Sequence, residues 1–276
     1  MPMFPSTDGV QVAAYELGGS GPPLLLSHAT GFHGHIWLPI VERLRDAFTC
    51  YSFDTRGHGD STPPASGDFD WRSFADDCRA AVDGFALEQP YAVGHSAGGA
   101  LLVLLEENAP GTFRSLYLYE PIIYPGEGLP PDTENPLAAG ARRRREVFAS
   151  RQAAFDNYAG KTFSVFTPEA LHAYVDYAFD DLPDGTIRLK CRGENEARTY
   201  ENSFRHGAFS RLSELSLPVT FACGSETDAF GPDFVSLLAA PVPGARVEVI
   251  DGLGHFGPMQ DPDAVADGIR RAFTSA

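Results

Sequence analysis

Residues 91–99 read YAVGHSAGG, with Ser96 held between Gly94 and Gly98. A serine hydroxyl is a poor nucleophile until a neighbouring base takes its proton. The chemistry open to Ser96 is therefore acyl transfer, provided the chain supplies a base and a carboxylate to orient that base. A base is offered by GLGHF, residues 252–256, which places His255 on a loop between the last apolar run and the last helical pattern. The carboxylate should follow an earlier apolar run. PVTFACGSETDAF, residues 218–230, offers Glu226 and Asp228. Glu120, at the end of the run that follows the serine's helix, is the alternative acid. Asp228 is preferred, because a short carboxylate on a strand-end loop suits an imidazole partner. The plainer readings are a glycine-rich turn for the serine and a surface loop for the histidine.

These side chains need a scaffold that brings distant segments to one edge. The chain alternates short apolar runs with helical patterns. Asp8-Gly9 is a turn dipeptide between MFPS and VQVAAYEL and predicts an N-terminal hairpin. Strands are predicted over 22–27, 48–54, 90–94, 114–120, 218–223 and 246–250, and helices over 35–47, 70–85, 98–108, 233–240 and 261–273. Strands apolar on both sides that alternate with helices predict an α/β fold: a mostly parallel sheet with helices on both faces. In that frame G-x-S-x-G sits where it has meaning, in a sharp strand-to-helix turn whose strained serine needs small neighbours. The alternation stops after Glu120. A Pro- and Gly-rich stretch leads into a helical, aromatic segment without strand alternation. The expected organisation is a core of 1–124 and 213–276 with an inserted helical cap over 125–212.

The 276 residues carry a formal net charge of −16, and 43% are hydrophobic. The length suits one large α/β domain or one with an insertion. The negative field disfavours nucleic acid and anionic membrane as partners. Cys50, Cys78, Cys191 and Cys223 form no CxxC pair, so neither a zinc site nor a redox motif is indicated. Buried free thiols fit a reducing cytoplasm, the expected location. The N-terminus shows no signal-peptide pattern, and the longest apolar run, Ala100–Leu105, is far too short to span a bilayer. His28, His33 and His35 raise the idea of a metal site, but no third ligand type is placed nearby and a loop role is preferred.

Together these segments resemble the α/β-hydrolase fold superfamily, over nearly the whole chain outside the cap. SHATGFHGHIW (27–37) is similar to the family's His-Gly loop, with Ala29 in place of the usual Gly. FDTRGHGDS (53–61) is similar to its turn after the fourth strand, GHSAGG (94–99) to its nucleophile elbow, and GLGHFGPMQDPDAV (252–265) to its histidine loop and final helix. The resemblance implies an oxyanion hole from the backbone N–H groups of Thr30 and Ala97, a structural role for Asp54, Arg56 and His58, and no cofactor or metal. A serine at the elbow argues against the dehalogenases and epoxide hydrolases of this fold, which use an aspartate there.

The expected function is a serine hydrolase that cleaves a carboxylic ester or lactone through an acyl-enzyme. A C–C bond hydrolase or biosynthetic thioesterase is the enzymatic alternative, and a ligand-binding receptor or signalling protein on the same fold is the alternative of another class. The expected partner is a small molecule with an apolar or aromatic acyl group. The cap is rich in Phe148, Phe155, Tyr158, Phe163, Phe166, Tyr174, Tyr177 and Phe179, although most of these must form the cap's own core. Phe32, Trp37 and His95 are the better pocket candidates. Arg142–Arg145 suggests an anionic substrate, but four successive helical positions spread over about 300°, so one or two at most can face a pocket.

Overall fold

A computed structural model describes residues 1–126, 135–228 and 230–274. Half of the Pro- and Gly-rich stretch expected to be a loop, residues 127–134, lies outside the described residues. In chain order the first half contains β1 (Met3–Pro5), β2 (Gln11–Gly19), β3 (Pro23–Ser27), α1 (Leu38–Leu44), β4 (Thr49–Phe53), α2 (Trp71–Gly84), β5 (Tyr91–His95), α3 (Ala97–Asn108) and β6 (Ser115–Tyr119). The segment from Pro136 to Asn202 contains α4 (Pro136–Arg143), β7 (Val147–Phe148), α5 (Arg151–Ala159), α6 (Pro168–Tyr177), β8 (Phe179–Asp181), β9 (Ile187–Leu189) and α7 (Gly193–Asn202). The chain closes with β10 (Val219–Gly224), α8 (Pro232–Ala239), β11 (Arg246–Ile250), α9 (Gly257–Gln260) and α10 (Pro262–Thr274).

Eight strands form one sheet in the order β1-β2-β4-β3-β5-β6-β10-β11. β1 and β2 are the antiparallel hairpin expected at Asp8-Gly9, and every pairing from β4 to β11 is parallel. The inner parallel strands β3, β5, β6 and β10 are buried on both faces, so their side chains divide between two cores, while the edge strand β11 is largely exposed. Leu25, Leu116 and Leu118 pack under α2, α3 and α8. Leu24, Leu26, Tyr117 and Tyr119 pack under α1, α10 and the 136–202 segment. α2 begins where the sequence places it, because the Asp70 carboxylate accepts the Arg72 backbone N–H as an N-cap.

Within 136–202 the structure departs from the helical expectation. β7, β9 and β8 form a three-stranded antiparallel sheet. Strands of two or three residues are too short for a period-two pattern to register. The signal that was present is Asp184-Gly185, a turn dipeptide between β8 and β9, with Gly185 at φ +83°.

The turn after β4 is scaffold, as the resemblance implies. Asp54 is fully buried and accepts from the Tyr15 hydroxyl (2.5 Å) and the backbone N–H groups of Gly34 (2.6 Å) and Asp60 (2.8 Å). Burial pushes its carboxyl up to about 6. Arg56 makes a buried two-pronged pair with Asp77 (2.9 and 2.7 Å). The pair ties this turn to α2.

The elbow depends on missing side chains. A Cβ on Gly94 would lie 2.5 Å from the Cα of Gly99, and one on Gly98 would collide with the carbonyl oxygen of Ser27. A methyl at Gly98 must therefore push α3 away from the end of β3. Gly140, in α4, has open space around its Cβ position. Gly98→Ala should cost about 3 kcal/mol, while Gly140→Ala should be neutral or stabilising by up to about 1 kcal/mol. For a chain of this size that places the Gly98→Ala unfolding midpoint roughly 6–10 °C below wild type, as read by circular dichroism. Equal midpoints for the two variants would contradict the close approach.

Candidate active site

Three strand ends meet at one point. β5 ends in the elbow, β6 ends one residue before Glu120, and β10 ends at Gly224 beside the loop that carries His255. Ser96 has φ 56° and ψ −118°, a conformation that non-glycine residues rarely adopt. It is fixed there by its backbone. Its N–H donates to the Tyr119 carbonyl (2.9 Å), and its carbonyl accepts from the N–H groups of Gly99 (3.1 Å) and Ile122 (3.2 Å). The side chain thus stands at the N-terminus of α3. Its Oγ lies 3.2 Å from His255 Nε2.

The acid bonded to the imidazole is Glu120. His255 Nδ1 lies 2.7 Å from Glu120 Oε2. The preferred carboxylate, Asp228, is exposed, and this part of the expectation is corrected. The reason is topological. β6 lies between β5 and β10, so the residue following β6 falls between the nucleophile and the histidine loop. Glu120 takes a left-handed turn there, with φ 45°. The β10–α8 loop instead supplies Thr227, whose hydroxyl donates to Glu120 Oε2 (3.0 Å), and Phe230, whose ring lies 5.4 Å from the imidazole. Glu120 Oε1 accepts the Gly224 N–H (3.0 Å). The carboxylate has no solvent exposure and receives three donors, as a buried charge requires. With Nδ1–H donated to Glu120, Nε2 carries the lone pair that faces the serine.

The histidine loop is pinned by groups that sequence reasoning did not assign to it. The Tyr119 hydroxyl donates to the Gly254 carbonyl (2.8 Å), and the Gly254 N–H donates to Gln260 Oε1 (2.9 Å). His95 Nε2 donates to the His255 carbonyl (2.8 Å). Burial pushes the His95 pKa well below the usual imidazole range, so its ring stays neutral. His95 is therefore a fully buried brace and not the pocket residue expected. Trp37 is likewise core and does not line the cavity. Tyr119 and Gln260 carry no sequence signal, since a buried tyrosine in a strand reads simply as core.

The two expected oxyanion donors stand at the start of α3 and in the loop after β3. Ala97 is the first residue of α3, so its N–H has no intrahelical acceptor. Thr30 belongs to the loop after β3, and the missing side chain at Gly98 lets that strand end rest against the elbow. Ala29 is accommodated: its carbonyl accepts from Phe32 N–H (3.1 Å) and from His28 Nδ1 (2.8 Å). His28 Nε2 accepts the Thr55 N–H (3.1 Å), and His33 Nε2 donates to the Tyr174 carbonyl (3.1 Å). Both imidazoles thus serve the loops. Among the described residues no group of three or more His, Cys, Asp or Glu side chains could hold a metal.

A cavity of about 420 Å³ begins at Thr30, Gly31 and Phe32 and is closed by the 136–202 segment and Phe256. Of the aromatics singled out in the sequence, Phe148, Tyr158 and Phe163 line it. Tyr174 and Phe179 are buried in the core, and Tyr177 stacks on His35 with ring centres 3.9 Å apart. Beside these aromatics the lining carries charge. Arg144, Arg145, Lys161 and Glu196 share it. Two of the four successive arginines face the cavity, within the one or two expected, but not from one helix: α4 ends at Arg143 and Arg144 is extended, with φ −67° and ψ 146°.

Residues 24–268 match the Alpha/beta hydrolase family. The chain belongs to this family. An uncharacterized protein of Mycobacterium tuberculosis is 25% identical over 270 residues, covering 94% of this chain and 77% of the relative. Among solved structures, E-2-(acetamidomethylene)succinate hydrolase superposes with a TM-score of 0.85 at 21% identity, covering 100% of this chain and 99% of the other. An N-formylmaleamic acid deformylase from Pseudomonas putida S16 gives 0.76 at 19% identity, covering 95% and 97%. At these identities the superpositions show the α/β-hydrolase fold alone. No helix among the described residues is long and apolar enough to cross a membrane.

The geometry makes a prediction for a fluorophosphonate, which phosphonylates an activated serine with loss of fluoride. Intact mass should rise by a single phosphonyl group, mapped to Ser96. His255→Ala should slow labelling by about 10²–10⁴-fold. His95→Phe, which removes one buried hydrogen bond from the histidine loop, should slow it by about five- to tenfold. Equal labelling rates in all three proteins would contradict the assignment.

Proposed function

We propose that this α/β-hydrolase is a serine hydrolase that cleaves a small carboxylic ester or lactone through an acyl-enzyme. The observation that carries the reading is the unbroken line Ser96 Oγ, His255 Nε2, His255 Nδ1, Glu120 Oε2, with spacings of 3.2 and 2.7 Å. Each member is held by its own backbone or by buried donors, so the line is formed before substrate arrives.

In this reading Ser96 Oγ attacks the scissile carbonyl while His255 Nε2 takes its proton. The carbonyl oxygen becomes an oxyanion, to which the N–H groups of Thr30 and Ala97 donate. Two such donors count heavily, since loss of one typically costs about 3–4 kcal/mol. Collapse of the intermediate breaks the bond to the leaving oxygen, which takes the proton from Nε2. Water then attacks the acyl-enzyme and gives a proton to the same nitrogen. The carboxylic acid departs as Ser96 recovers its proton. Glu120 stays ionised throughout, holds the imidazole tautomer and balances the imidazolium.

The described 136–202 segment serves as a cap that closes over the oxyanion loop. One of its ties to the core is the Thr167 N–H donated to the Met259 carbonyl (2.9 Å), beside the histidine loop. The four cysteines are buried thiols, which supports a reducing compartment such as the cytoplasm.

The test is hydrolysis of 4-nitrophenyl esters of graded acyl length. Wild type should turn over several of them with a burst of nitrophenolate, and Ser96→Ala should lose on the order of 10⁴–10⁶-fold in kcat. Turnover that persists in Ser96→Ala would overturn the acyl-enzyme. Stoichiometric, tight binding without turnover would favour the ligand-binding reading.

A further inference from the structure

The cavity reverses the charge of the chain around it. The protein carries −16 overall, yet the charged residues among the described cavity lining are Arg144, Arg145 and Lys161 against the single carboxylate of Glu196. Arg145 and Lys161 are exposed, whereas the Arg144 side chain is 18% exposed and its partner Glu196 9%. A cation drawn this far from water is costly unless its donors are matched.

Arg144 is held with care. Nη1 donates to Glu196, and Nη2 donates to the hydroxyls of Tyr174 (2.9 Å) and Tyr158 (3.1 Å). A guanidinium has five N–H groups. Three are used, so two remain unclaimed among the described residues on a side chain that lines the cavity. Among the described residues the carboxylate paired with Arg144 is that of Glu196, and Arg145 and Lys161 line the same cavity. The group lies against the loop after β3. Gly31 follows the expected oxyanion donor Thr30, and a Cβ on Gly31 would lie 2.7 Å from Glu196 Oε1 and 3.6 Å from Arg144 Nη1.

We propose that the substrate carries a carboxylate, held by Arg144 in the cap with Arg145 and Lys161 at the mouth of the cavity. This rests on the hydrolase reading and names its substrate class: a short ester or lactone that bears a second, ionised carboxyl group. Arg144 meets the carboxylate through its two unclaimed N–H groups, on Nε and Nη1, as a charge-assisted contact. The two tyrosine hydroxyls fix the plane of the guanidinium. Glu196 keeps Arg144 in place when the cavity is empty and, as a like charge, limits how tightly an anion is held.

The test compares two esters of matched length, 4-nitrophenyl hydrogen glutarate and 4-nitrophenyl pentanoate. Wild type should favour the anionic ester by about tenfold or more in kcat/KM, mainly through KM, the effect of one additional charged hydrogen-bonded contact. Arg144→Met should bring the ratio of the two close to one. Arg144→Lys, which keeps the charge and loses the bonds to the two tyrosines, should retain part of it, and Glu196→Gln should raise it. Calorimetry with glutarate and Ser96→Ala supplies a readout without turnover, in which binding should vanish when Arg144→Met is added. No preference for the charged ester together with no saturable glutarate binding would overturn the proposal. If neither ester is cleaved while glutarate binding still requires Arg144, the anion site stands and the hydrolase reading falls.

Discussion

A carboxylate sealed from water must be given donors, and here those donors come from the parts that make the site. Glu120 leaves the end of β6 in a left-handed turn and accepts from the end of β10, from the loop beyond it and from the histidine loop. Removing a charge from water costs several kcal/mol unless hydrogen bonds replace the lost hydration. The three loops are therefore held together by the need to satisfy one buried anion. The same need fixes which imidazole nitrogen bears the proton, and so leaves Nε2 bare toward Ser96. Glu120 is thus at once part of the packing and part of the chemistry.

The second constraint is steric. Ser96 can occupy its strained conformation because Gly94, Gly98 and Gly99 let two backbones meet where side chains would stand. The close approach brings the elbow against the end of β3 and sets the N-terminus of α3 beside the loop of Thr30. At the other side Gly224 and Gly257 play the same part, since a Cβ on them would strike the Leu253 carbonyl and the Tyr119 hydroxyl. The histidine loop is pressed onto β10 and β6 and then bonded there by Tyr119 and His95. Precision of the reacting groups comes from backbone contact rather than from long side chains reaching across space.

Much of this was legible in the chain. Buried parallel strands read as continuous apolar runs, so β3 to β6 and β10 stand close to where the runs lie, and the exposed edge strand β11 follows its shorter Val-Ile pattern. Ser96 and His255 were legible because each sits in a short motif at a strand end. The acid was not, because the order serine, acid, histidine is satisfied by Glu120 and Asp228 alike. What separates them is that β6 lies between β5 and β10, a fact of strand order that no local pattern carries. The small sheet of β7, β8 and β9 was missed for want of length. The basic cavity was obscured because Arg142–Arg145 was treated as one helix, whereas the chain leaves the helix at Arg144 and turns that side chain inward.

The central claim is that Glu120 orients His255. The direct measurement is kcat/KM of Glu120→Gln beside Asp228→Asn on one ester substrate. Glutamine keeps the shape but cannot balance the imidazolium, so Glu120→Gln should fall by about 10³–10⁴-fold, while Asp228→Asn should stay within about threefold of wild type. A collapse of Asp228→Asn with Glu120→Gln left active would contradict the account.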